Sequence, residues 1–229
     1  VPVYTEAQHS TTPKANTHAR RASYAARPQT SPAKPKPTST KKPRVATADD
    51  ARRANIPAGF SYKNWDPSEE PIILLGSVFD ANSLGKWIYD WTVFDFGPAT
   101  PMADVAGDLW LLLIQLAGKV KRADDSLSKI RREEKRELVD DFIDAGERIF
   151  IRFKKLLKLC EDFMMKAAQR ETGEKKPTQM SKSSGVAFVE CMFGRDKELD
   201  KTEKLMSAIR LWSMRFDANC DEILRNPTV

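Results

Sequence analysis

Histidine is almost missing from this chain. Of 229 residues only His9 and His18 carry an imidazole. Everything downstream lacks the general base of Ser-His-Asp and Cys-His catalysis and the commonest zinc ligand. Cysteine is scarce as well: Cys160, Cys191 and Cys220 are odd in number, widely spaced and set among apolar residues. That pattern reads as reduced core thiols in an intracellular protein, cytoplasmic or nuclear, rather than a disulfide framework. The ten glycines form no phosphate-cradling loop, dinucleotide fingerprint or hydrolase elbow. A membrane span needs about 20 predominantly apolar residues, and the most apolar stretch, within Thr100 to Val120, is interrupted by Asp104, Asp108, Gln115 and Lys119. No secretory apolar region opens the chain, although a start at Val1 rather than Met leaves room for a removed segment.

Charge is unevenly spread. Net charge is +6, but residues 1–55 hold eleven Lys or Arg against Glu6, Asp49 and Asp50, whereas the remainder carries 27 basic and 29 acidic residues. The first 55 residues are rich in Pro, Ser, Thr, Ala and Lys and poor in large apolar side chains. Such a segment buries too little surface to offset its ordering entropy, so a disordered arm is expected there. Ser31 to Arg44 alternates proline with lysine, which favours an extended cationic strand. Lys34, Lys36, Lys41, Lys42 and Arg44 suit contact with nucleic acid or an import receptor, because spaced cations neutralise phosphates and release counterions; a solubilising linker has the same composition. Thr12, Ser23 and Ser31 stand in proline-directed or basophilic kinase contexts. Each phosphate adds about −1.5 to −2 charge, which would tune such a contact.

A helical domain is expected over 56–229. Asp66 and Pro67 could open a first helix, followed by a short apolar element over 72–79. Asp80 or Asn82 could then start a helix carrying Leu84, Trp87, Ile88, Trp91 and Phe94, stopped by Gly97-Pro98. The two tryptophans, one turn apart, read as a core ridge. Thr100 and Pro101 open the central helix, whose apolar body from Leu109 to Ala117 predicts packing on all sides. A mixed-charge crossing follows. Leu138, Phe142, Ala145, Ile149, Phe153, Leu156, Cys160, Phe163 and Ala167 then recur at steps of three and four, the spacing of a long amphipathic helix. Its other side carries Arg148, Arg152, Lys155, Lys158 and Lys166, a solvated face that an acidic partner could use. A polar loop is expected at 172–184, then a short helix from Val186 to Phe193, and a helix capped by Asp196 that ends at Asn226-Pro227. No strand is evident. The fold class is all-α, a bundle of about five or six helices behind a disordered, basic, Pro-rich arm.

Two carboxylate pairs carry the only chemistry in the pattern. Asp140 and Asp144, in a D-D-x-x-D sequence, lie one helical turn apart, a spacing that could hold Mg²⁺ through carboxylate oxygens. Phe142 belongs to the apolar stripe, which turns both acids towards its margins or solvent. Asp104 and Asp108, in the first turns of the central helix, are explained more simply as partners of the helix dipole. No catalytic residue, metal site or cofactor is assigned.

Asn64 to Phe94, the central TPMADVAGDLWLLLIQLAGKVKR and Lys201 to Leu224 resemble an uncharacterised family of filamentous-fungal proteins. Its members are often catalogued as vegetative cell wall protein-like. The resemblance covers most of residues 57–226 and implies no activity, cofactor or site residue. Three function classes follow: a non-enzymatic protein-interaction module with a tunable basic arm and an unidentified protein partner; a nucleic-acid or chromatin-associated protein binding through the arm; and a structural protein associated with the cell wall.

Overall fold

The structure is a computed structural model that describes residues 44–173 and 182–228. Six helices and a small three-stranded sheet occupy these residues: α1 (Ala48–Arg53), β1 (Ser61–Asn64), β2 (Ile72–Leu74), β3 (Ser77–Phe79), α2 (Ala81–Phe96), α3 (Pro101–Leu127), α4 (Glu133–Thr172), α5 (Lys182–Phe193) and α6 (Leu199–Arg225). No helix among the described residues is long and apolar enough to cross a membrane.

Ordered structure starts earlier than Ile56, inside the stretch expected to be disordered arm. α1 opens with a reciprocal capping box: Thr47 caps the Asp50 amide, and Asp50 accepts from the Thr47 amide at 2.9 Å and its hydroxyl at 2.6 Å. Arg44 and Arg53 clamp the same buried carboxylate at 3.0 and 3.2 Å. Behind this helix, Ala46, Trp65 and Val78 form a small core of their own with Ile56, Phe60 and Tyr62 at its edge.

The helix expected at Pro67 is a turn. The Asp66 carboxylate accepts from the Ser68 amide at 2.8 Å and its carbonyl from Glu69 at 3.0 Å, and Pro71 leaves too few residues for a helix to continue. The apolar element that follows is a hairpin of β2 and β3, with β1 added in parallel on the other side of β3. Leu75 and Gly76 make its two-residue turn, both at positive φ, 55° and 68°. Leucine is a poor residue for that conformation. Glu161 on α4 holds it there, accepting from the Leu75 amide at 3.0 Å.

Asp80 caps α2 as the sequence suggests, accepting from the Ser83 amide at 2.6 Å, and Gly97 ends the helix at φ 91°. Trp87 and Trp91 stand edge to face with centroids 6.3 Å apart, and Trp87 meets Phe188 of α5 at 5.0 Å. Gly185 lets α5 approach closely, because its missing Cβ would fall on the Trp91 indole. α3 begins at the Thr100 cap and runs seven residues past Val120. Its body is not covered all round: Leu111 is 59 % exposed and Ile114 is exposed beside it. The remaining faces pack on α2, α4 and α6.

α4 buries a wider face than the predicted stripe. Val139, Ile143, Phe150, Leu157, Met164 and Ala168 are buried alongside Ile149, Phe153, Leu156 and Cys160, whereas Leu138 and Phe163 of the predicted stripe are exposed. Three neighbours explain the width, since α3, α5 and α6 all pack against it. α5 starts at Lys182 rather than Val186, and α6 starts at Leu199 with Glu198 before it and no side-chain cap, so Asp196 sits in the preceding turn. α3 and α6 run in parallel and are laced by Asp108–Arg210 at 2.9 Å, Lys119–Asp217 at 2.7 Å and Arg122–Asp221 at 2.5 Å.

Candidate docking groove

α4 and α6 lie antiparallel and meet through aromatic residues at one end. Trp212 donates from Nε1 to the Phe142 carbonyl at 3.0 Å, and Phe142 stands edge-on to Phe216 at 6.0 Å. Gly146 lets the helices close there, since a Cβ would fall 2.6 Å from Val120 and 3.2 Å from the Trp212 ring. α6 leaves one flank of α4 uncovered. Along that flank run two adjoining recesses that share Arg152, one of about 360 Å³ over Leu156, Leu159 and Leu205, the other of about 350 Å³ over Leu138, Phe142, Ala145, Ala208 and Leu211.

They lie end to end along the α4/α6 pair, meeting at Arg152, and are treated together as a groove. From Leu138 to Leu159 it follows α4 for roughly 30 Å, at about 1.5 Å per helical residue. Leu211 is 59 % exposed, Leu159 43 % and Leu138 37 % in the groove, and Ile151, Phe163 and Met214 are exposed elsewhere on the same two helices. Ala145 and Ala208 are small, so the middle of the floor is low. The rim is cationic: Arg152, Lys155, Lys201, Lys204 and Arg215 line it, against Asp141 alone among acids. Lys201 pairs with Glu198 at 2.6 Å, while no ion pair among the described residues engages Arg152, Lys155, Lys204 or Arg215.

The basic residues read along α4 divide accordingly. Lys158 is tied to Glu161 at 2.9 Å and Asp162 at 3.3 Å, and Arg148 reaches Asp144 at 3.8 Å. Arg152 and Lys155 are the two that face the groove. The apolar spacing of the sequence puts Leu138, Phe142, Ala145 and Ile149 in the core stripe and gives no mark to Lys201, Lys204, Ala208, Leu211 and Arg215. The signal that could have found these five is the coincidence of their three-and-four spacing with that of Arg152 and Lys155.

The other candidate positions are not brought together. Asp140 and Asp144 are exposed, and no group of three or more His, Cys, Asp or Glu among the described residues could hold a metal ion. Asp104 is exposed, and Asp108 serves the cross-helix ion pair to Arg210 rather than the helix dipole. Arg44 is spent on Asp50, its side chain still 63 % exposed. Thr12, Ser23, Ser31, Lys34, Lys36, Lys41 and Lys42 lie outside the described residues.

A separate recess of about 210 Å³ lies between the turn at Ser68 and helices α3 and α4, lined by Glu69, Glu70, Lys121, Asp124 and Glu147. Burial first, then the nearby Asp80 charge, pushes the Glu69 carboxyl above its ordinary range. Among the described residues no thiol or imidazole lines it to complete a nucleophile–base pair. The three cysteines are free and buried. The hydrogen bond with Cys191 and burial push the Cys160 thiol up, and burial takes Cys220 to about 11.

The chain matches no protein-family model, no curated protein and no solved structure.

Proposed function

We propose that this protein is a non-enzymatic interaction module whose helical body takes a protein partner in the α4/α6 groove. The observation that carries the reading is the groove itself, a long apolar channel left open between packed helices. Binding sites are typically concave, lined mainly by apolar side chains, with a few polar groups at the edge. The basic arm fits an auxiliary role inside the cell: an electrostatic contact tuned at Thr12, Ser23 and Ser31, or an import address through Lys34, Lys36, Lys41 and Lys42. Its +8 charge over 1–55 supports nucleic-acid contact as the second reading, without the full service of Arg44. A cell-wall role rests on the family resemblance alone.

A quantitative pull-down from cell extract separates these, comparing the full chain, a chain starting at Arg44, and a full chain carrying Leu159→Glu and Leu211→Glu, each with and without nuclease. The module reading expects a protein set that survives nuclease and truncation and is lost with the two groove substitutions. Capture that needs residues before Arg44 and disappears with nuclease supports the nucleic-acid reading instead. Recovery of the native protein in the wall fraction would support the third.

A further inference from the structure

We infer that the occupant of the α4/α6 groove is an acidic amphipathic helix supplied by another protein; the inference rests on the docking reading above and specifies its partner. Three observations converge on that chemistry. The two recesses together follow α4 for roughly 30 Å at about 1.5 Å per residue, the length of a helix of some twenty residues, with a floor of Leu156, Leu205, Ala208 and Phe142 that accepts a stripe of apolar side chains. Its centre is low at Ala145 and Ala208, so a third helix can settle between the two existing ones as helices do in bundles.

The charge pattern sets the sign of the partner. Four of the five rim cations have no ion pair among the described residues, and three of these, Arg152, Lys155 and Lys204, cluster at one end around Leu159 and Leu205. An apolar helix flanked by Asp and Glu meets both the floor and the rim, and long-range attraction raises its encounter rate. The chain's own arm is an unfavourable occupant, because residues 1–43 hold eight Lys or Arg against Glu6. An anionic lipid surface shares the charge but not the shape, since a flat bilayer reaches the rim and not the floor of a channel between two helices.

The test is a display library of twenty-residue helical peptides, randomised in side-chain charge, selected against the full chain and counter-selected against full chains carrying Leu211→Glu or Lys155→Glu with Lys204→Glu. Circular dichroism and thermal unfolding first establish that both variants fold as the parent does. The expected result is enrichment of net-acidic peptides with an apolar stripe, at least tenfold weaker on the Leu211→Glu chain, and a shift towards neutral or basic peptides on the doubly reversed rim. Groove-dependent enrichment of neutral or basic peptides would overturn the acidic partner while leaving the groove a docking site. No enrichment, or enrichment indifferent to Leu211→Glu, would overturn both. Co-sedimentation with vesicles containing phosphatidylserine that is lost in the same groove variants would replace the helix by a membrane surface.

Discussion

Gly146 on α4 and Trp212 on α6 fit each other as a notch fits a wedge: a Cβ on the glycine would lie 3.2 Å from the indole, and the indole Nε1 reaches past it to the Phe142 carbonyl at 3.0 Å. This contact sets how close the two helices stand and hence how wide the groove beside them opens. It also bears on stability. Trp212→Phe keeps most of the ring and loses the hydrogen bond, which costs about 0.5–1.5 kcal/mol. Trp212→Ala empties a buried position and costs roughly 3–5 kcal/mol. Urea unfolding of the full chain distinguishes the two, and equal costs would mean that the indole hydrogen bond, not the ring's packing, dominates.

Asp80 joins the sheet to the helical body. One of its oxygens accepts from the Ser83 amide at 2.6 Å, the other from the Asp66 amide at 3.0 Å, and the residue is buried. Asp80→Ala strips the cap from α2, about 1 kcal/mol by itself, and leaves the Asp66 amide without its partner, roughly a further 1–3 kcal/mol. Asp80→Asn keeps the cap and loses one acceptor, so its midpoint in thermal unfolding should fall between parent and alanine variant.

Acid should loosen α1 before the rest. Hydrogen bonds from the Thr47 hydroxyl and amide, helped by Arg44 and Arg53 and opposed by burial, hold the Asp50 carboxyl below its ordinary range. A lowered folded-state value means that the stabilisation is present above the unfolded value of about 3.9 and is lost as pH falls through the lowered one. Amide chemical shifts of Asp49 to Arg53 should stay constant down to about pH 4 and then move towards coil positions. Asp50→Asn should flatten that titration, and an unchanged acid transition in this variant would assign it to another group.

All three thiols should resist alkylation in the native state. Cys160, Cys191 and Cys220 are buried, and the shifts at Cys160 and Cys220 keep those sulfurs protonated at neutral pH. Iodoacetamide at pH 8 should modify none of them within minutes and all of them in urea, read by intact mass. Rapid native labelling of any one would show that its helix opens locally.

Much of the frame was legible because its punctuation is local. Asp80, Gly97, Thr100 with Pro101, and Asn226 with Pro227 each mark a helix end by backbone chemistry that needs no partner. The sheet was hidden because β2 and β3 are three residues each and β1 is mostly exposed, so no alternation could emerge. The extent of α1 depends on Asp50 being clamped from two sides, a tertiary fact. For the groove, periodicity told that Leu138, Phe142 and Ala145 lie on a stripe, but not that α6 would cover only part of it. Leu111 failed in the same way: an apolar residue on a central helix is buried only where a neighbour arrives.

The parallel lacing of α3 to α6 has a temporal side. About seventy residues separate the two helices in the chain, and ribosomes add about 5–20 residues per second. The faces of α3 and α4 that Trp212, Phe216 and Ile223 will seal therefore stand bare for several seconds of every round of synthesis. During that interval the nascent chain displays far more apolar helix surface than the finished protein keeps, the kind of surface that favours aggregation until α6 arrives.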